Sequence, residues 1–444
     1  SARFSFNDPA LGSFVVRNRA GTGRAAINVG HSDTTTGATP TVTMDLSGHS
    51  VDILASTLSI GGRIGAGGAN NTANFTMSAG TLDATSVIVG ERLVLFHRVG
   101  AEEVVDCVHA GDGRRFWQVK YPAAYRDRYG YNPGPRATPA IAGGRVFTFG
   151  AEGRLHCIDL ASGRVNWRRD LHGEFGIKQN FFGVGASPLV VGDVVIVQLG
   201  APGGPGVAAF DVVTGKMRWG AETEWGASYA SPVPATLHGR ERVLIFAGGE
   251  SRPPTGGLLC IDPATGAVDF RFPWRGTRYE SVNAASPVVL GDRVLVAECY
   301  GSGGALVEAR ADGTAAIVWK NPTFGMHFMS ALRQGDHLYG VHGHGPQDAE
   351  LVCVEAATGR EIWRDQPLWT ETVREPRGPR EIRTGTFRTF LLAVDGQVLA
   401  LGEPLGGARL VPGLLARLPF ELERGARAVA LVRVGARQIN HQVQ

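Results

Sequence analysis

The sequence predicts an all-β protein: a β-propeller of four-stranded blades preceded by a small β-solenoid-like segment. Three observations predict it. A two-part phrase recurs at intervals of 44 to 52 residues through most of the chain. Glycine supplies 62 of 444 residues without a collagen period, as short strands joined by tight turns require. Composition also changes abruptly near residue 90, which marks a domain boundary there.

The first 90 residues contain no Lys, Glu, Cys, Trp or Tyr. Ala55-Ser56-Thr57-Leu58-Ser59-Ile60-Gly61 returns 29 residues later as Ala84-Thr85-Ser86-Val87-Ile88-Val89-Gly90, and Val42-Thr43-Met44 returns as Phe75-Thr76-Met77. Leu58 and Ile60, like Val87 and Val89, alternate with their neighbours as one-sided strands do. Between them lies the turn-forming run Gly65-Ala66-Gly67-Gly68-Ala69-Asn70-Asn71. Two or three coils of a β-solenoid fit this pattern, each burying its apolar row against the next; a flexible Gly/Thr-rich leader is the alternative. The segment resembles autotransporter-type β-solenoid repeats.

Beyond Glu91 the repeat is stronger. Small or apolar residues alternate into an acidic residue, then a turn ending in Gly, then an aromatic. The copies include Cys157-Ile158-Asp159-Leu160-Ala161-Ser162-Gly163 with Trp167, and Phe210-Asp211-Val212-Val213-Thr214-Gly215 with Trp219. Cys260-Ile261-Asp262-Pro263-Ala264-Thr265-Gly266 precedes Phe270, and Cys353-Val354-Glu355-Ala356-Ala357-Thr358-Gly359 precedes Trp363. Trp117 and Trp319 close the two remaining copies. A second phrase keeps the same register: Thr138-Pro139, Ser187-Pro188, Ser231-Pro232, Ser286-Pro287 and Ser330-Ala331.

One unit can be read physically. In Asp-x-x-Thr/Ser-Gly the carboxylate accepts backbone N–H groups and Gly supplies positive φ, so the turn joins the two outer strands of a four-stranded sheet. The aromatic falls in the last strand and is expected to wedge between adjacent sheets, burying about 200 Å² in the case of an indole. Trp117, Trp167, Trp219, Phe270, Trp319 and Trp363 are the expected blade wedges. Cys107, Cys157, Cys260 and Cys353 share one repeat position, hence lie in different blades, and read as buried small hydrophobes and not a disulfide framework.

The phrase resembles the pyrroloquinoline-quinone-like propeller family, whose tryptophan-docking phrase ends in Thr-Gly-Lys-x-x-x-Trp, close to Thr214-Gly215-Lys216-Met217-Arg218-Trp219. The resemblance covers residues from about 91 to 420. It implies one of three kinds of protein: quinone-dependent alcohol dehydrogenases, the outer-membrane assembly lipoprotein, or other exported propellers. It also implies eight blades. Clear units lie near 91–120, 138–170, 187–220, 231–274, 286–320 and 330–366, with a degenerate seventh at 387–420, so the expectation is a seven- or eight-bladed propeller. The domains are then 1–90, 91–420 and a C-terminal extension or edge strand at 421–444.

Charge excludes little but excludes it clearly. With 44 basic and 41 acidic residues the chain carries a net +3, which gives no concentrated basic surface for nucleic acid. No run of 18 apolar residues is present, so no spanning helix is expected. The stretch Arg374-Glu375-Pro376-Arg377-Gly378-Pro379-Arg380-Glu381-Ile382-Arg383 reads as a long loop. It is either solvated or available to an anionic partner or a cell-envelope surface.

A ligand is expected in a propeller's central funnel. The residues leading into the innermost strands are Arg136, Asn180, Tyr229, Asn283 and His327, which either bind such a ligand or bond neighbouring backbone. His342 and His344, with His327 or Asp348, are the weak candidates for a metal; an ordinary loop is the plainer reading, and no metal is expected. The five cysteines stand singly, so the vicinal pair implied by the dehydrogenase branch is missing, and no serine has an elbow motif. No cofactor or catalytic residue is therefore expected. The function expected is that of a non-catalytic, exported protein-interaction scaffold, periplasmic or extracellular. The alternatives are a calcium- and quinone-dependent dehydrogenase and a propeller that binds carbohydrate or another small molecule.

Overall fold

The structure is a computed structural model of the whole chain. It describes residues 92–401 apart from short breaks at 110–112, 130–132, 179, 223, 251–252, 279–280, 346, 376–377, 388 and 395–396. It also describes strands within the first 90 residues and one at Ala430–Val432.

The chain is an all-β propeller. Five four-stranded antiparallel sheets follow one another among the described residues, each with its strands in chain order. Blade 2 comprises Ala140–Ala142, Arg145–Phe149, Arg154–Asp159 and Val165–Asp170. In blade 3 the strands are Leu189–Val191, Val194–Gln198, Val207–Asp211 and Met217–Ala221; in blade 4, Val233–Leu237, Arg240–Ala247, Gly257–Ile261 and Val268–Pro273. Blade 5 is built from Val288–Leu290, Arg293–Glu298, Gly303–Ala309 and Ala315–Asn321, and blade 6 from Leu332–Gln334, His337–His342, Glu350–Glu355 and Glu361–Asp365. All five match units expected from the repeat.

The opening unit differs from the expectation. Arg92–Val99, Glu102–His109 and Arg115–Pro122 provide only three strands, and Val87–Val89 from the N-terminal segment stands before them in the strand order. Val89 pairs antiparallel with Arg92 while its own strand runs parallel to Leu58–Ile60. The strand order thus runs from Val87–Val89 to Arg92–Val99.

Upstream, the long strand Thr41–Ile60 pairs in parallel with Ala2–Ser5, Ser13–Val16 and Ala25–Val29 on one side and with Thr72–Ala84 on the other. Leu58 faces Val87 and Ser50 faces Ala79, the 29-residue offset of the sequence repeat. Met44 faces Phe75 and not Met77, and the register then shifts between Leu46 and Ser50. Parallel rungs of this kind are what a coil repeat produces.

The chain divides into two compact units. One contains Ser1–Leu95, Val105–Gln118 and Ala393–Gly396; the other contains Phe96–Val104, Val119–Leu392 and Gln397–Gln444.

Period-2 alternation explains how the blades pack. Val194–Gln198 is buried along its whole length, because each face meets a different neighbour. Val195 and Val197 join Phe147, Phe149 and Leu155 of blade 2, whereas Val194 and Ile196 join Val243, Ile245 and Leu259 of blade 4. The same exchange places Leu244 and Phe246 against Val294 and Val296, then Leu295 and Leu306 against Leu338 and Val352. A single blade leaves both faces wet; stacking buries them.

The Arg374–Arg383 stretch is a correction. It forms most of an antiparallel hairpin, Leu368–Glu375 with Gly378–Gly385, in which Val373 faces Arg380 and Glu375 faces Gly378. Gly378 and Pro379, which suggested an open loop, are instead paired with Glu375 and Arg374. Phe390–Val394 and Gln397–Leu401 begin the expected seventh unit, and Ala430–Val432 pairs with Val398–Ala400 as an edge strand; residues 402–420 lie outside the described residues.

Candidate functional site

The blade wedges lie in the last strand of each unit, as expected. Opposite four of them, one strand inward, sits the shared small position: Cys157 faces Trp167, Ala209 faces Trp219, Cys260 faces Phe270 and Cys353 faces Trp363, whereas Leu306 faces Trp319. A register shift follows each pair, which turns the strand end into the Gly-ended turn. Burial pushes the Cys157 thiol up to about 11 and that of Cys260 to about 12, so these are packing groups and not nucleophiles.

Three of the indoles dock on the next blade's turn. Trp167 donates to the Val212 carbonyl (3.2 Å), Trp219 to Pro263 (2.9 Å) and Trp319 to Ala356 (3.0 Å). The turn glycine has two jobs there. Gly215 and Gly266 adopt φ of +69° and +77°, and a Cβ on either would stand 2.7 Å from the docked ring. The carboxylate works as read: Asp211 accepts from the Thr214 backbone N–H (2.7 Å) and hydroxyl (2.9 Å). These bonds, with Arg218, hold its carboxyl well below the usual range.

The Ser-Pro phrase has a role that sequence reasoning missed. Thr138 donates its N–H to Ser187 Oγ (2.9 Å), Ser187 to Ser231 Oγ (3.0 Å) and Ser231 to Ser286 Oγ (3.0 Å). A relay of backbone N–H groups and serine hydroxyls therefore links the segments that lead into the first strands of four successive blades. The 44 to 55 residues between partners hide it from any local motif.

The expected funnel residues lie beside that relay. Arg136 donates to the Phe182 carbonyl (2.8 Å), pairs with Asp127, and covers the rings of Tyr125 and Phe182. Asn180 donates to the Ala227 carbonyl (3.3 Å), and buried Asn283 donates to that of Ala247 (3.1 Å). The Tyr229 hydroxyl accepts the Phe182 N–H (3.1 Å), and burial raises its pKa. His327 bonds the Tyr300 hydroxyl through Nε2 (2.9 Å) and packs against Phe328 and Phe387. Four of the five thus bond backbone groups and tie one blade's entry loop to the next.

The histidine candidates for a metal do not converge on one point with a third ligand. His342 bonds the Gly325 backbone through Nδ1, and burial lowers its pKa. His344 meets Asp348 (3.2 Å), and its ring centroid lies 6.0 Å from that of His327. Among the described residues no group of three or more His, Cys, Asp or Glu has metal-binding geometry.

One cleft does stand open. A cavity of about 360 Å³ is lined by Arg128, His172, Gly176, Ile177, Lys178, Asn180 and Glu250. Asn180 is the only expected funnel residue in that lining, and at φ +43° it is one of three non-glycine residues with positive φ among the described residues. Of the other lining groups, His172, Gly176, Ile177 and Lys178 share its segment, beginning in the short helix Leu171–Phe175, while Arg128 and Glu250 come from elsewhere; they carry no joint sequence signal.

The family described as outer membrane protein assembly factor BamB matches residues 101–365. The chain belongs to this family. It is 25% identical over 303 residues to the BamB of Shewanella oneidensis, covering 64% of this chain and 67% of that protein. To the BamB of Burkholderia pseudomallei it is 23% identical over 356 residues, covering 75% of this chain and 82% of that protein. It is also 31% identical over 142 residues to the quinohemoprotein alcohol dehydrogenase ADH-IIG of Pseudomonas putida, but this covers 31% of the chain and only 19% of the enzyme. The matched span takes in blades 2 to 6 whole, so membership of the family rests on the repeats described above. The dehydrogenase branch implies a vicinal thiol pair. Here all five cysteines are single and free, so the chain does not offer that feature. Among the described residues no helix is long and apolar enough to cross a membrane.

Proposed function

We propose that this chain is a non-catalytic, exported propeller that serves as a protein-interaction scaffold in the assembly of outer-membrane proteins. One observation carries the reading. Similarity to an assembly factor extends over 82% of that relative, whereas similarity to a dehydrogenase stops at 19% of the enzyme. What a short match shares is blade architecture, which is indifferent to function. The inner loops support the same reading: Arg136, Asn180, Tyr229 and Asn283 spend hydrogen bonds on neighbouring backbone and so hold a rigid platform. Residues 1–90 are proposed to be a separate solenoid-like domain, and the mature chain to act outside the cytoplasm.

The test is deletion of the gene in its own host, followed by quantification of β-barrel proteins in purified outer membranes. Reduced levels restored by the full chain support the scaffold; unchanged levels reject it. Recovery of the mature chain in the cytosolic fraction would defeat export. The 31% match to a quinohemoprotein keeps one rival testable. Dye reduction with alcohols after reconstitution with quinone and calcium would establish the enzyme in place of the scaffold.

A further inference from the structure

The open cleft joins groups of complementary chemistry from three segments, at Arg128, at 172–180 and at Glu250. Arg128 and Lys178 are exposed cations on its lining and form no hydrogen bond or ion pair among the described residues. His172 donates from Nδ1 to the Ile177 carbonyl (2.7 Å), which leaves Nε2 as an acceptor in the neutral ring. Asn180 spends Nδ2 on Ala227 and keeps its carbonyl oxygen, and Glu250 adds a carboxylate. The cleft therefore offers two cations and three acceptors.

These groups are held in place. Asp127 accepts the Tyr129 N–H (2.7 Å) with one oxygen and pairs with Arg136 through the other, which fixes the turn that carries Arg128. Asn180 occupies the left-handed region, which is uncommon for a residue with a side chain and is found where surroundings impose it. Tyr129, next to Arg128, leaves 53% of its surface exposed and lies 6.0 Å and 5.6 Å, centroid to centroid, from Phe181 and Phe182. An exposed aromatic beside a polar cleft suits a ligand with both a flat apolar face and hydroxyl groups.

Two cations alone attract any small anion. Three acceptors disfavour a bare anion and require a ligand that also donates hydrogen bonds. A neutral sugar leaves the cations unmatched, and a cationic ligand is repelled by them. From this combination we infer that the cleft bounded by Arg128, His172, Lys178, Asn180 and Glu250 binds a carbohydrate bearing a carboxylate or a phosphate. The oxyanion meets Arg128 and Lys178, and the ring hydroxyls donate to His172, Asn180 and Glu250. The volume of about 360 Å³ lies within the range of small-ligand sites.

The test is isothermal titration calorimetry of the full chain at fixed ionic strength with glucuronate, glucose 6-phosphate, glucose and inorganic phosphate. At least one acidic sugar is expected to bind with Kd of about 1 mM or tighter, and glucose and phosphate at least about tenfold more weakly. The tighter of the two acidic sugars identifies the oxyanion. The double variant Arg128→Ala/Lys178→Ala is expected to lose about tenfold in affinity with its melting temperature unchanged, since both side chains are exposed. Glu250→Gln should weaken the sugar and spare phosphate. Absence of binding by both acidic sugars at about 10 mM, or equal affinity in the double variant, overturns the site. Phosphate binding as tightly as the sugars overturns its carbohydrate character.

Discussion

The seam between blades 3 and 4 and the seam between blades 4 and 5 join similar sheets by different residues. At the first, Trp219 docks on Gly266 and donates to Pro263. At the second the corresponding aromatic is Phe270, which has no N–H to give. Trp274, four residues later, donates instead to the Gly303 carbonyl (3.1 Å). His238 adds bonds from its N–H to Asp292 (2.7 Å) and from its ring to the Ala309 carbonyl (2.8 Å). Both aromatics at the repeat position are equally buried, at 8% exposure. What the repeat demands is a large ring packed against the next sheet together with donors that satisfy its carbonyls. Which side chain supplies the donor is negotiable, because the carbonyls are backbone groups present in every blade.

The comparison can be broken hardest at its wedge. Trp219→Ala is expected to cost about 3–5 kcal/mol, and Phe270→Ala a similar amount, because each empties a full aromatic volume between sheets. Denaturant unfolding measures both; a cost below about 1 kcal/mol at either position would remove the wedge from the account.

A third seam supplies an ionic contrast. His156 is buried, stacks on Tyr121 with centroids 4.1 Å apart, and has its pKa lowered to about 4, mainly by burial and then by Arg168 and Arg154. The unfolded chain takes up a proton near pH 6.5 that the folded chain refuses. Stability is therefore complete above that value and falls as the pH drops toward 4, by up to about 3 kcal/mol. Burial raises the pKa of Glu103, so its earlier protonation in the folded state offsets part of the loss. His156→Phe should flatten the thermal stability profile between pH 6.5 and 4.

Smaller effects sharpen the comparison. Trp219→Phe and Trp274→Phe remove one buried donor each and should cost about 1 kcal/mol apiece beyond any change in packing. Trp167→Phe should behave alike, since it also donates to a turn carbonyl. Ser231→Ala breaks the inner relay while leaving both outer wedges intact. About 0.5–1.5 kcal/mol is expected from chemical denaturation, less than for any wedge truncation. A larger loss at Ser231 than at Trp219 would reverse the ranking of the inner and outer joints.

Much of the fold was legible because its signals are local. Asp211 with Thr214 and Gly215 can be read as a turn from adjacent residues, and Trp219 follows at a fixed distance. The Ser-Pro phrase was visible as register but not as a relay, since an Oγ that accepts from a strand 44 residues away leaves no neighbouring trace. Trp274 and His238 were missed for the same reason: they occur at one seam and have no repeat to reveal them. The hairpin Leu368–Gly385 is not legible at Arg374–Arg383, where Pro and Gly residues read as a loop, because its pairing joins residues across the turn. Of the candidate site, Asn180 was legible from its place before Ser187-Pro188, but Arg128, His172, Lys178 and Glu250 carry no common motif.

By itself the sequence determined the repeat, the strand alternation, the Gly-ended turns and the one aromatic that each blade must bury. These follow from dihedral preference and period-2 burial, which act over a few residues. Tertiary structure alone decided which carbonyl each indole meets, how the serine hydroxyls pass from blade to blade, and which cations share a cleft. Those are distances between segments remote in the chain, set by how the sheets stack and not by any residue's own preference.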